Sequence, residues 1–217
     1  MKSRMFALLA VLCSAKAIAG SLTVKPEVIY STAQLKLGDE KWTNSDGQNE
    51  AADVSNSRFI KGYGGALNLE YELADRWRLG GGVGYVSYNQ QHGLNQPNFN
   101  DLYSKAQLSY DFLRVGDFSA YAAGGASYHM ISLNSENRNE TRINPGDVQV
   151  WNYDAGVGGR MKVAENVNLG LEYRVTNPLD SDHTGVKYSA GDESLKTELT
   201  KVKLSTNEVL ASLSYSL

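Results

Sequence analysis

Apolar and polar residues alternate with a period of two along nearly all of the chain after its first 19 residues. That pattern confines the fold to strands with two unlike faces. Tyr63, Gly65, Leu67, Leu69, Tyr71 and Leu73 share one parity, while Gly64, Ala66, Asn68, Glu70 and Glu72 take the other. After Ala74-Asp75-Arg76, the series Trp77, Leu79, Gly81, Val83 and Tyr85 alternates with Arg78, Gly80, Gly82 and Gly84. Comparable ladders run from Leu102 to Phe112, Trp151 to Met161, Val167 to Val175 and Val209 to Leu217. The stretch from Phe118 to Ile131 is rich in small residues, and Leu22 to Leu37 is less regular, with Val24, Val28 and Tyr30 on its apolar side. Eight strands result.

The connections between them alternate in length. Residues 74–76, 113–117 and 164–166 make short turns, whereas 38–57, 89–101, 132–147 and 177–201 are long and polar. Pro97, Pro145 and Pro178 fall in the long connections, and Pro26 lies near the start of the first strand. No proline interrupts a strand interior, where it would remove a ladder hydrogen bond. Short turns at one end and long loops at the other are the layout of a transmembrane barrel.

A helical membrane bundle is excluded, because the longest apolar run, Met5 to Cys13, is far short of the ~20 residues a spanning helix needs. One cysteine in 217 residues excludes a disulfide scaffold, and the net charge of −3 argues against a nucleic-acid partner. Residues 1–19 have the layout of a secretory signal peptide: Lys2 and Arg4, an apolar stretch from Phe6 to Leu12, and Ala17-Ile18-Ala19 as a small-x-small cleavage site. A lipoprotein site at Cys13 is disfavoured by the bulky Leu12 before it. Cleavage near Ala19 would leave one domain, 20–217, and remove Lys2, Arg4 and Lys16, taking the net charge from −3 to −6.

A soluble sandwich alternates too, but three features favour the membrane. The apolar faces run ~9–11 residues, the length of a tilted spanning strand. Aromatics cluster toward both ends of those faces: Tyr71, Trp77, Tyr110, Phe112, Phe118 and Tyr215 near the short turns, and Tyr63, Tyr85, Trp151 and Tyr153 nearer the long loops. Two such bands read as interfacial girdles. The polar faces carry mid-strand charges among glycines, as the packed interior of a narrow barrel does. The expected fold is therefore all-β: an eight-stranded antiparallel transmembrane β-barrel with up-and-down meander topology.

Leu169-Gly170-Leu171-Glu172-Tyr173-Arg174, Trp77-Arg78-Leu79-Gly80, Tyr121-Ala122-Ala123-Gly124-Gly125-Ala126 and the aromatic final strand resemble signature strands of the OmpA-like outer-membrane β-barrel family. The resemblance covers the whole mature chain. It implies a Gram-negative outer membrane, a lipopolysaccharide-containing surround, and insertion through the barrel-assembly machinery. The chain ends on Leu217, where that family usually ends on Phe or Trp. The resemblance is to the barrel alone, without a peptidoglycan-binding domain, so no cell-wall tether is expected.

Parity turns Glu70, Glu72, Asp154 and Glu172 inward together with Arg78, Lys105, Arg160 and Arg174. Isolated buried charges are too costly to keep, so these should pair into an ionic network. A salt-bridged plug is favoured over an ion path, since eight strands enclose a space that side chains fill. His92, His129 and His183 are the histidines; His129 points inward near Ser127 and Ser132, with no His-x-Ser pair and no acid at matching spacing. No catalytic residue is assigned, and an enzyme is not expected. Asp180-x-Asp182 and Asn44-Ser45-Asp46-Gly47 do not complete a calcium loop, so no metal or cofactor is expected. Asn139-Glu140-Thr141 is a glycosylation triplet that a bacterial exported chain would ignore. The long loops are the natural place for binding, with Trp42 as first contact residue and loops 38–57 and 177–201 as the surface for an extracellular ligand. The function expected is structural, for envelope integrity, or adhesin-like binding by a monomer. A narrow porin-like channel is the alternative and a lipid-modifying enzyme a distant one.

Overall fold

A computed structural model of the chain describes residues 21–37, 40–43, 49–52, 59–89, 98–134, 148–179, 186–190, 195–199 and 202–217. The expected leader, 1–19, lies outside the described residues, as do His92, His183 and the 44–47 and 139–141 segments. Twelve strands are described: β1 (Leu22–Leu37), β2 (Glu40–Thr43), β3 (Asn49–Ala52), β4 (Phe59–Ala74), β5 (Trp77–Tyr88), β6 (Asn98–Val115), β7 (Phe118–Asn134), β8 (Val148–Ala164), β9 (Val167–Pro178), β10 (Val186–Ala190), β11 (Leu195–Leu199) and β12 (Val202–Ser216). Eight of them close into a barrel in the order β1-β12-β9-β8-β7-β6-β5-β4, with every neighbouring pair antiparallel. Pairing of β1 with β12, from Thr23 opposite Ser216 to Leu37 opposite Val202, shuts the sheet. No helix among the described residues is long and apolar enough to cross a membrane. In hydrocarbon a closed sheet meets the demand that every backbone group be paired, because it has no edge.

The short connections are two-residue turns at 75–76, 116–117 and 165–166. Gly116 has a φ of 56°, the left-handed region that side chains resist, so glycine suits that turn. The other four ends differ from the sequence reading. β6 begins at Asn98 and β7 runs to Asn134, so the barrel wall extends into segments read as loop, and β8 starts at Val148, three residues before the ladder read from Trp151. The connections 38–57 and 177–201 are not wholly unpatterned either: they supply β2, β3, β10 and β11, a second sheet in the order β10-β11-β2-β3. In that sheet Glu40 stands opposite Leu199, the offset that places Leu37 opposite Val202 in the barrel, so β2 and β11 keep the register of β1 and β12.

The wall has two regimes. Toward the short turns, apolar residues face out and polar residues face in, with Leu67, Val83, Val157 and Leu171 all exposed. Toward the long loops the sense reverses. Ala33, Ile60, Val86, Tyr88, Phe99, Ile131, Val148, Val150 and Leu204 point inward and pack into one apolar cluster, with Tyr88 and Phe99 stacked at 4.4 Å. Their outward neighbours are Thr32, Gln34, Lys61, Ser87, Asn100, Ser132, Gln149, Lys203 and Ser205. The aromatics Tyr30, Tyr63, Tyr85, Tyr128, Trp151 and Tyr153 ring the outside where the sense changes; Tyr30 meets Tyr63 at 5.3 Å and Tyr128 meets Trp151 at 4.9 Å. At the other end Trp77 packs on Tyr110 at 4.7 Å, and Phe112, Phe118 and Tyr215 are exposed, with Tyr71 half-buried. The 17-residue strand β7, rising ~3.3 Å per residue at a tilt of ~40°, stands ~43 Å tall against an apolar band of ~25 Å. The reversed segment is therefore a collar above that band. It is wetted outside and packed inside like a small soluble barrel.

Glycines make room for the large inward rings. A Cβ on Gly158 would lie 2.6 Å from Cζ of Tyr121, and one on Gly84 would collide with the Tyr103 ring. Gly158→Val is expected to displace Tyr121 and lower stability by about 1–3 kcal/mol through overpacking, measured by urea unfolding in lipid vesicles. Val at Gly116, where the turn is open, changes the unfolding midpoint through backbone strain alone and leaves Tyr121 in place.

Candidate functional site

The candidate site is the barrel lumen, and every barrel strand contributes to it. Nearest the short turns, Asp111 of β6 is the focus. Its Oδ1 takes Nη1 of Arg78 at 2.7 Å and Nη2 of Arg160 at 2.9 Å, and its Oδ2 takes Nη2 of Arg114 at 2.9 Å. Arg114 continues to Asp75, pairing with its carboxylate at 2.9 Å and donating to its backbone carbonyl. Higher in the lumen, Lys25 Nζ meets Glu70 at 2.9 Å, Glu27 at 3.1 Å and Glu172 at 3.6 Å. Arg174 binds Glu172 at 3.0 Å, Glu208 at 3.4 Å and Glu27 at 3.8 Å, while Lys105 reaches Glu27 at 3.3 Å. Arg160 joins the two tiers through Glu70 at 3.5 Å and lies 4.4 Å from the centre of the Tyr121 ring. Tyr121 in turn donates to Glu172 at 2.8 Å.

Of the eight charges that parity turned inward, Glu70, Arg78, Lys105, Arg160, Glu172 and Arg174 take part in these ion pairs. Glu72 sits at the mouth near the short turns, half-buried, and accepts the Ser21 hydroxyl at 3.3 Å. Asp154 stands apart from the ionic tiers, six residues up β8 from Arg160, and its Oδ1 accepts hydroxyls from Ser127 and Thr176, each at 2.9 Å. Sequence reasoning missed Lys25, Glu27, Asp111 and Glu208. For Asp111 and Glu208 the signal was present, since both hold the inward parity of their strands.

Above the ionic tiers lies a grouping that the sequence reading did not expect. His129 Nδ1 is 2.8 Å from Asp101 Oδ2, and its Nε2 is 2.9 Å from Ser127 Oγ. Ser127 and His129 are two residues apart on β7, and Asp101 comes across from β6, so the acid was hidden by sequence distance. The spacing is that of a nucleophile, base and orienting acid. The Ser127 hydroxyl, however, also reaches Asp154 Oδ1. The Ser127 oxygen is thus shared between the imidazole and the Asp154 carboxylate, each at 2.9 Å, rather than held by His129 alone. Ser127, His129 and Asp101 are all buried, with the inward Ile131 and Phe99 two residues further toward the collar on the same strands. The cluster Asp101–His129–Ser127–Asp154–Thr176 ties β6, β7, β8 and β9 together as a polar strut. Among the described residues no group of His, Cys, Asp and Glu is arranged to hold a metal ion. Trp42, the expected loop contact, lies on β2, where the backbone register sets it opposite Thr197 of β11 and Glu50 of β3.

Closure, outward apolar belt, paired aromatic girdles and an ionic interior together define a transmembrane β-barrel of the bacterial outer-membrane type. The family model for the outer membrane protein beta-barrel domain matches residues 5–216, and the chain belongs to that family, which places it in the outer membrane. Among solved structures it is similar to neisserial surface protein A, with 15% identity over 88% of this chain and 96% of that one and a TM-score of 0.53. It is also similar to the Escherichia coli outer membrane protease OmpT (9% identity, 91% and 97% covered, TM-score 0.51) and to a major outer membrane protein of Thermus thermophilus (11%, 92% and 100%, TM-score 0.50). At such identities the likeness concerns the fold. No curated protein sequence matches the chain significantly.

Arg174→Ala is expected to cost about 3–5 kcal/mol, because Glu208 loses the guanidinium it pairs with and Glu172 keeps the longer contact to Lys25, while both remain buried; urea unfolding in vesicles measures it, and an unchanged midpoint would refute the pairing. Ser127→Ala is expected to cost about 1 kcal/mol, and a fluorophosphonate probe should leave the parent unlabelled; labelling lost in Ser127→Ala would show a nucleophile instead of a strut.

Proposed function

We propose that this barrel is a closed, monomeric scaffold of the outer membrane, serving envelope integrity and presenting an adhesin-like binding surface on loops 38–57 and 177–201. The observation that carries the reading is the filled lumen. Paired charges occupy it from Asp111 up to Glu208, and the apolar cluster of Tyr88, Phe99, Ile131 and Leu204 occupies the end nearest the long loops. A barrel so packed leaves the loops as the surface on which recognition can act. Support comes from β2 and β11, which keep the register of β1 and β12 and so offer a stiff backbone for Trp42 to be displayed on. The hydrogen-bonding of Ser127 supports a non-enzymatic role. Insertion through the barrel-assembly machinery belongs to the same reading.

One observation favours a narrow conducting path as the second reading. Asn68, Asp101 Oδ1, Tyr103 Oη, Asn152 Oδ1 and Asp154 Oδ2 are buried on the inner face without a hydrogen-bond partner among the described residues, as groups facing water would be. Single-channel recording of the refolded mature chain in a planar bilayer separates the two. Insertion without steady openings is expected, with openings emerging in Arg174→Ala; steady openings in the parent would overturn the closed scaffold. Cells displaying the parent should adhere to immobilised matrix extract, and cells displaying a chain without residues 38–57 should not.

A further inference from the structure

Among the described residues, the buried carboxylates Glu27, Glu70, Asp111, Glu172 and Glu208 each meet a lysine or an arginine. Asp101 and Asp154, also buried, do not. The partner of Asp101 is His129, with Nδ1 2.8 Å away. Asp154 is reached from the same imidazole through Ser127, by two contacts of 2.9 Å. We infer that His129 is a proton-operated latch on the upper lumen. As an imidazolium it holds Asp101 and Asp154 in a dry, closed interior, and when it gives up its proton the two carboxylates draw water in beneath the apolar cluster. The inference rests on the closed-lumen reading and names what would open that lumen.

Three physical points carry the inference. First, a carboxylate buried without a cation is costly to keep ionised, and an imidazolium serves both at once. It donates from both nitrogens, so Asp101 takes the Nδ1 hydrogen, Ser127 takes the Nε2 hydrogen, and the Ser127 hydroxyl is left to donate to Asp154. A neutral imidazole has a single N–H and leaves one contact of that row without a hydrogen. Second, seats for water are already present. Asp101 Oδ1 and Asp154 Oδ2 have no partner among the described residues, nor have Tyr103 Oη, whose ring lies 5.3 Å from that of His129, and Asn152 Oδ1, whose backbone is opposite Ser127. Third, the latch stands where the ionic lumen meets its apolar closure, since Phe99 and Ile131 of the apolar cluster are two residues further up the same strands. The other charged groups around the imidazole are engaged elsewhere: Lys105 of β6 with Glu27 of β1, and Glu208 of β12 with Arg174 of β9. Histidine is the side chain whose free titration, near ~6.5, falls within the ordinary range of surroundings. On deprotonation the Nε2 proton passes to solvent and Nδ1–H stays with Asp101. Stabilisation that needs this proton is complete at low pH and is lost as pH rises past the titration of the imidazole, the opposite sense to a carboxylate.

The mature chain, refolded in lipid vesicles, is unfolded in urea on either side of the free histidine titration, at about pH 6 and about pH 9. The parent midpoint should be lower at the higher pH by about 0.5–1 M urea. His129→Gln and, independently, Asp101→Asn should give midpoints that do not respond to pH. In planar bilayers the parent should be silent at the lower pH and open at the higher one. A chain carrying His92→Asn and His183→Asn keeps His129 as its one histidine. Its ring-nitrogen resonances should show both nitrogens protonated at the lower pH and one of them bare at the higher. That measurement alters no lumen residue, so it decides the matter if His129→Gln and Asp101→Asn do not fold. A neutral imidazole already present at the lower pH, a parent midpoint no more sensitive to pH than that of folded His129→Gln, or silence at both pH values would each overturn the latch. A parent that conducts at the lower pH, yet loses stability at the higher pH only when His129 is present, would overturn the closed scaffold and uphold the latch.

Discussion

The structure depends on one constraint: in hydrocarbon no backbone N–H or C=O can be left without a partner. The β1–β12 ladder, uninterrupted in register between Val28 opposite Ala211 and Leu37 opposite Val202, satisfies it by closing the sheet on itself. The remaining features follow from closure. Once the wall is sealed, each strand must send alternate residues to lipid and to an interior too narrow for bulk water, and whatever polarity the outer face cannot carry has to be settled inside.

That interior is settled by ion pairs rather than by apolar packing through most of its depth. Lys25 and Glu27 of β1, Glu70 of β4, Arg78 of β5, Asp111 of β6, Arg160 of β8, Glu172 and Arg174 of β9 and Glu208 of β12 are joined into one chain of contacts, with Tyr121 of β7 bonded to Glu172. Buried pairs of this kind add little net stability over well-packed apolar residues, but they penalise the loss of any single partner. Their effect is to fix the barrel's cross-section. Opposite walls are tied by side chains of set length, and the small residues Gly84 and Gly158 are needed where Tyr103 and Tyr121 cross the lumen between those ties.

The eight barrel strands and the antiparallel meander were legible because alternation is a local property of sequence. Closure brings together residues such as Thr23 and Ser216, and no local pattern reports which of them meet. The first strand was the hardest to read: its inward face goes from Lys25 and Glu27 to the apolar Ile29, so no single polarity marks it, and the two charges at the hub of the ionic network were lost. Asp101 was lost for a related reason. It sits where β6 turns from a polar to an apolar inward face, so the strand was read as beginning at Leu102 and the partner of His129 was assigned to a loop. β2, β3, β10 and β11 are four or five residues long, too short for alternation to stand out, and their pairing joins two connections more than 100 residues apart.

The change of sense in the wall is the point at which these observations meet. On β8, Val148 and Val150 face in and Trp151 and Tyr153 face out; on β5, Tyr85 faces out and Val86 and Tyr88 face in. An apolar pair at neighbouring parities therefore marks the strand position at which lipid gives way to water. The same two-faced wall serves both solvents by exchanging which face is apolar. Below the change the lumen must be ionic, because the belt outside is apolar. Above it the lumen closes over itself with Phe99 on Tyr88, and the outer surface is free to carry charge. There the β1–β12 ladder continues in register as β2 and β11. The strands that seal the barrel are thus also those whose register runs on into the second sheet.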